Sequence, residues 1–189
     1  MSSQNPELII NQTKRLVESD KQSEIRLNAN GGNSILIVCD PKQEGEFIAK
    51  MTLMFDAETY QIIDLNELLV NFVQANKELL IETFELLQGS IPQVFKSSDN
   101  ETEVDLFQHI ITVIANCFKA NKVPVLINSG ALYGSHIDNI HLMEHEVVMK
   151  STLPLIVLYP ATSDGDKLLF LSKRPASKYR CMIINDHNS

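Results

Sequence analysis

Two nearly unbroken apolar runs, Val123-Pro-Val-Leu-Ile-Asn128 and Leu153-Pro-Leu-Ile-Val-Leu-Tyr159, constrain this chain more than any other feature. A strand with one wet face alternates apolar and polar residues. Runs without alternation suit strands covered on both faces, as in a parallel sheet sandwiched between helices. Each run ends in small or polar residues, Ser129-Gly130-Ala131 and Pro160-Ala161-Thr162-Ser163. Ligands and partners engage α/β folds at those carboxyl ends.

The rest of the chain alternates in the same sense. Pro6 to Ser19 reads as a short helix, and Lys21 to Asn33 as a polar loop. Ser34-Ile-Leu-Ile-Val-Cys39 is the first buried strand, stopped by Asp40-Pro41. Lys42 to Phe55 follows as a helix, with Phe47, Ile48, Met51, Met54 and Phe55 at helical spacing. Tyr60 to Asp64 is a short strand, and Asp64 with Glu67 three residues on marks a helix start. That helix carries an apolar face from Leu65 to Leu87, with a break near Asn76. A loop, Gly89 to Asn100, leads to a helix from Glu103 to Ala120. Ser135 is the expected cap, with Asp138 at its third position, of a helix reaching about Val148. Leu168 to Ser172 and Tyr179 to Ile184 read as two strands around a turn at Arg174-Pro175, adding an antiparallel edge. The expected fold is therefore α/β: a mostly parallel sheet between helices, P-loop-like in topology but without a Walker A, with a C-terminal antiparallel hairpin. Residues 1–33 form an N-terminal helix and polar loop, and residues 34–185 one α/β domain.

At 189 residues the chain fits one domain with a self-sufficient core. A net charge of −8 argues against a generic grip on nucleic acid, which needs a basic face. Lys167, Lys173, Arg174, Lys178 and Arg180 crowd the C-terminal hairpin, where charges are usually a solvated face. Cys39, Cys117 and Cys181 are widely spaced and sit in apolar contexts, so they read as buried hydrophobes in a reducing compartment. The first residues lack a secretory-signal pattern, and no apolar run approaches the roughly 18 residues of a membrane span. A cytoplasmic protein without membrane partners is expected.

No complete catalytic signature is visible. His141-Leu-Met-Glu144-His145 spells the inverted zinc-protease pattern, with His136 and Asp138 upstream. Nothing helical follows to supply the third ligand, so chance histidines on a polar helix face are the favoured reading. Asn30-Gly31-Gly32-Asn33-Ser34 precedes a strand, whereas a phosphate loop must follow one. After the first strand, Asp40-Pro-Lys-Gln-Glu-Gly45 has no Gly-Lys-Ser/Thr, and Asp40 and Glu44 would repel a phosphate near Lys42. The turn Ser129 to Gly134 follows a strand and lacks a nucleophile elbow. No metal, cofactor or catalytic residue is assigned.

Three ordered segments carry a family likeness: Val38-Cys-Asp-Pro-Lys-Gln-Glu44, then Ile127-Asn-Ser-Gly-Ala-Leu-Tyr133, then Leu153-Pro-Leu-Ile-Val-Leu-Tyr-Pro160 with Asp164-Gly165, Leu168-Leu-Phe170 and Tyr179-Arg180. Over roughly Ile35 to Ile184 the arrangement resembles the BrxB family of bacterial BREX phage-defence systems, long catalogued as a domain of unknown function. The chain departs from that family's pattern at Ala161, Gly134 and His136. Such changes suit a binding surface better than a strict catalytic site. The resemblance implies a non-catalytic adaptor that binds other system proteins, first among them the PglZ-type phosphatase-like protein. The expected binding residues are Asp40, Lys42, Tyr133, Asp164, Tyr179 and Arg180. Turn chemistry for the two aspartates, and strand packing plus a salt bridge for Tyr179-Arg180, are the structural alternatives. The competing function is a degenerate P-loop-like nucleotide-binding protein or enzyme, with its site at the strand carboxyl edge. Direct DNA binding through the basic hairpin is a weaker third reading.

Overall fold

The computed structural model describes residues 4–19, 22–86, 95–96, 105–164, 167–176 and 179–185. The expected loop around Pro92, Gly165 and the last four residues lie outside them. The elements run α1 (Pro6–Glu18), α2 (Gln22–Asn28), β1 (Ser34–Cys39), α3 (Glu44–Met54), β2 (Tyr60–Asp64), α4 (Leu65–Ala75), α5 (Lys77–Leu86), α6 (Leu106–Lys119) and β3 (Val123–Ile127). A 3-10 turn (Ser129–Leu132), α7 (Asn139–Met143), α8 (Glu146–Lys150), β4 (Leu155–Asp164), β5 (Lys167–Phe170), β6 (Arg174–Pro175) and β7 (Met182–Ile184) complete the order. The α/β class and the mostly parallel sheet between helices are as expected.

The described strands form one sheet in the order β2-β3-β4-β1-β7, every neighbouring pair parallel. β4 is the middle of this arrangement, and β1 lies inside it, with β4 on one side and β7 on the other. The side chains of β1 alternate between two cores. Ile35, Ile37 and Cys39 face α1 and α3, with Ile9, Ile10, Phe47 and Met51. Leu36 and Val38 face the opposite layer, with Leu65, Ile110, Ile114 and Tyr159. This two-sided burial explains why β1, β3 and the first half of β4 read as unbroken apolar runs.

Several starts and stops follow from side-chain capping, of which the Asp64 cap and the break near Asn76 are as expected. The Asp64 carboxylate accepts from Asn66 N–H at 2.8 Å and Glu67 N–H at 3.2 Å, starting α4. Asp105 accepts from Gln108 N–H at 2.8 Å, starting α6. The α4–α5 break falls at Asn76, whose side-chain amide donates to the Phe72 carbonyl at 2.9 Å.

Four local expectations are corrected. The stretch 21–33 is not all loop. Ile25 and Ala29, four apart, are 1% and 0% exposed, and that single apolar pair seats α2 on the body. α1 and Ile25 of α2 share a core with β1. The helix expected from Ser135 to Val148 is two short ones. The Ser135 hydroxyl is used in the preceding turn, donating to Leu132 C=O at 2.7 Å and accepting from Ile137 N–H at 3.2 Å. His145, in extended backbone, then restarts the chain as α8. β4 does not stop at Tyr159. Past Pro160 it leaves β1 and pairs antiparallel with β5, from Ala161↔Phe170 to Asp164↔Lys167. A proline is tolerated at that change of partner because it has no N–H to leave unpaired. Finally, Tyr179–Ile184 does not pair with Leu168–Ser172. β5 pairs instead with β6, and Met182–Ile184 joins β1 in parallel, which buries Ile184 with Ile35 and Ile37.

The amino end of β1 is closed by tight contacts. Asn33 is buried, and its amide donates to the carbonyls of Val148, Ser151 and Leu153 at 2.9–3.0 Å. A Cβ on Gly32 would lie 1.8 Å from the Arg180 carbonyl oxygen, whereas one on Gly31 would meet nothing within 4 Å. Gly32→Ala must therefore push the β7 segment off β1. It is expected to cost about 1–3 kcal/mol by overpacking. Gly31→Ala, strained only by its positive φ, should cost about 1 kcal/mol. Urea unfolding of both variants checks this; equal costs would contradict the packing.

Candidate functional site

In an open parallel sheet the carboxyl edge of the strands is where a ligand would be held. Here that edge is occupied by the protein's own groups. At the end of β1, Asp40 N–H donates to Gln4 Oε1 at 2.8 Å, and Gln4 Nε2 donates to Val38 C=O at 3.2 Å. Gln43 closes the other side, accepting from Gln4 N–H at 3.2 Å and donating to Gln4 C=O at 3.4 Å. The Asp40 carboxylate accepts from Lys42 N–H at 2.8 Å. An anion cradle needs main-chain N–H groups free to converge on the ligand. In this turn those of Asp40 and Lys42 are already engaged.

Next along the edge stands a polar group from three elements. Asn128, left-handed at φ 55° after β3, donates its amide to Asp64 Oδ2 at 2.9 Å. Asparagine tolerates that backbone because its short side chain bonds locally. Glu44, at the start of α3, has Oε1 buried with no hydrogen-bond partner, and burial followed by repulsion from Asp64 raises its pKa. Two carboxylates and an amide therefore face one another. Among the described residues, no three His, Cys, Asp or Glu side chains are grouped so as to hold a metal ion.

Beyond β3 the edge is roofed. Ser129 is buried and donates its hydroxyl to Leu158 C=O at 3.0 Å. The β5–β6 hairpin folds over the turn that follows, with Leu171 within ordinary contact of the space above Gly130. Leu171 and Ser172 both have positive φ, 50° and 58°, so the hairpin turn is of the mirror-image kind that favours glycine and asparagine. Leu171 accepts this backbone while packing against the core. Tyr159 anchors the roof: its ring stacks on Phe170 at 4.7 Å, and its hydroxyl lies 2.9 Å from that of Tyr179. Burial, then the Tyr179 hydroxyl, raise the Tyr159 pKa far above its usual value. The space left between Tyr133, Asn139, Tyr159 and Tyr179 is about 20 Å³. That is room for one water, not for a substrate.

Two of the bases in the C-terminal segment are paired. Arg174 forms a two-pronged pair with Asp138 at 2.7 and 3.1 Å, and Arg180 pairs with Glu144 at 3.5 Å. The inverted zinc-protease pattern takes structural roles. His141 Nδ1 accepts from Asp138 N–H at 3.1 Å, and His145 Nδ1 accepts from Val147 N–H at 3.3 Å, capping α8. Phe107 presents its ring to both imidazoles. The helix break at Glu144 places the two histidines in different helical contexts.

The six expected binding residues divide between the two ends of the sheet. Asp40 and Lys42 form the turn after β1. Tyr133 is 53% exposed and lines the small cavity together with Tyr179. Asp164 ends β4 opposite Lys167, its side chain outside the described atoms. The Arg180 main chain lies against Gly32, before β1 begins. The length of β1 separates it from Asp40 by roughly 20 Å, at ~3.3 Å per residue. Sequence reasoning missed Gln4 and Gln43, which seal the edge from afar. It also missed Asn128, where asparagine at a strand end before Ser-Gly is a readable left-handed signal. The three cysteines are buried and unpaired, and burial pushes the Cys181 thiol up to about 12.

Among the described residues, no helix is long and apolar enough to cross a membrane. No protein-family model, no curated protein and no solved structure matches the chain.

His145 provides a pH test. Its pKa is lowered, first by burial. The unfolded chain therefore takes up the proton first as pH falls below about 6.5, and stability present above that pH is lost on acidification. A protonated Nδ1 also cannot accept from Val147 N–H. His145→Asn keeps a good cap without the titration. Its melting temperature should fall less than the wild type's between neutral and mildly acidic pH; parallel curves would contradict the assignment.

Proposed function

We propose that this protein is a non-catalytic adaptor of a bacterial BREX anti-phage system, acting in the cytoplasm by binding other proteins of that system, the PglZ-type phosphatase-like protein first. One observation supports this reading beyond the motif resemblance: the ends of β1, β3 and β4, where α/β enzymes hold substrate, are covered by Gln4, Gln43, Asn128 and the β5–β6 hairpin, and the open groove of about 470 Å³ lies beside the edge strand β2, lined by Asp64 and Glu67. An adaptor needs a firm body and an accessible surface, and no open pocket at that edge. The ion pairs of Arg174 and Arg180 also weaken the case for DNA binding through the hairpin.

Nucleotide binding is the second reading. It is favoured by the interior position of β1, between β4 and β7, with α3 following directly, as in a P-loop-like fold, and opposed by the engaged N–H groups of Asp40 and Lys42. The adaptor reading is tested by stoichiometric co-expression with the phosphatase-like protein. A complex that survives size-exclusion chromatography is expected; clean separation of the two proteins would count decisively against it.

A further inference from the structure

Six of the exposed large apolar side chains among the described residues lie on the consecutive helices α4 and α5. None of the side chains of α5 is buried. Leu79, Ile81, Phe84 and Leu86 are 48%, 50%, 43% and 81% exposed, and Val70 and Val73 of α4 are 45% and 36% exposed. Val70 and Val73, then Ile81 and Phe84, repeat at a spacing of three on their helices. Only Leu80 of α5 packs partly against the core, so the helix gains little from its own fold, since helix stability comes mostly from a packed apolar face. At 3.6 residues per turn Ile81 and Phe84 share one face of α5, flanked by Glu78 and Glu85, while Leu79 and Leu86 lie across the helix. Neighbouring exposed apolar side chains mark an interaction site more often than isolated ones do.

The charges around the patch decide what fits it. Glu67, Glu78, Glu82 and Glu85 are exposed on the same two helices, against the single base Lys77. A second copy docking by the same face would set these glutamates against themselves, because a two-fold contact is self-complementary. Anionic lipid would be repelled for the same reason. An amphipathic helix with a leucine-type stripe and flanking lysines or arginines satisfies both features: its stripe covers Ile81 and Phe84, and its bases meet the glutamates.

We infer that α4–α5 is a docking surface for a basic amphipathic helix of a partner protein. The proposal deepens the adaptor reading by naming the surface and the chemistry of its partner, and it rests on that reading for biological meaning only. Its test uses the full chain and a leucine–lysine amphipathic peptide, with a leucine–glutamate peptide as control, followed by fluorescence anisotropy. The lysine peptide should bind, and more weakly as salt rises. Ile81→Ser with Phe84→Ser should weaken it about tenfold, as expected for central apolar anchors. Glu78→Lys with Glu82→Lys and Glu85→Lys should weaken it comparably and reverse the preference toward the glutamate peptide. Because Ile81 and Phe84 are about half exposed, both variants should stay folded with melting temperatures close to the wild type's, which circular dichroism checks. Variants that melt normally yet bind like wild type would overturn the proposal, as would equal binding of the two peptides. Wild-type dimers that the Ile81/Phe84 variant dissolves would reassign the face to a second copy, and capture by anionic vesicles would reassign it to membrane. Loss of the phosphatase-like complex with peptide binding intact would defeat the adaptor reading and leave this surface standing.

Discussion

One strand, β4, belongs to two ladders, and the rest of the molecule is arranged around that double duty. Its first half pairs in parallel with β1 and β3; its second half, past Pro160, pairs antiparallel with β5. The strand therefore carries a hairpin beyond the end of β1 and folds it back over the turn after β3. Tyr159 stands at the change of partner. It is buried, stacked on Phe170 and hydrogen-bonded to Tyr179, so it fixes both the hairpin and the returning segment that becomes β7. The closed carboxyl edge is a consequence of this geometry.

The closure is polar on one side and apolar on the other. Gln4 and Gln43 satisfy main-chain groups at the end of β1, Asp64 binds Asn128 across the ends of β2 and β3, and Leu171 covers Gly130. Buried polar groups stay cheap only when paired. Among these residues Glu44 Oε1 is the unpaired exception, and its raised pKa reflects that burial. A ligand entering here would have to displace partners that are already well matched.

Much of this was legible in the amino-acid order. Unbroken apolar runs gave β1, β3 and β4, because two-sided burial removes the polar alternation. Asp64 and Asn76 marked their helix boundaries through local side-chain chemistry. What stayed hidden depends on contacts between distant residues. Nothing near Met182 says that it will pair with β1 and not with β5; the choice is made by the open side of a central strand. α2 was concealed because a single pair, Ile25 and Ala29, buries it. The helix after Ser135 was misread because the same serine serves equally well in a turn. The expected binding residues Asp40 and Arg180 are each in a local structural role, a turn bond and an ion pair, at opposite ends of β1.

At the carboxyl ends of β1 and β3 the protein's own groups take the place of a ligand. Amide chemical shifts of the full chain, followed while magnesium–ATP is added to millimolar excess, test it most directly. The Asp40, Lys42, Ser129 and Gly130 amides are expected not to move. Saturable shifts confined to those amides would mean the edge opens to a nucleotide, and would contradict it.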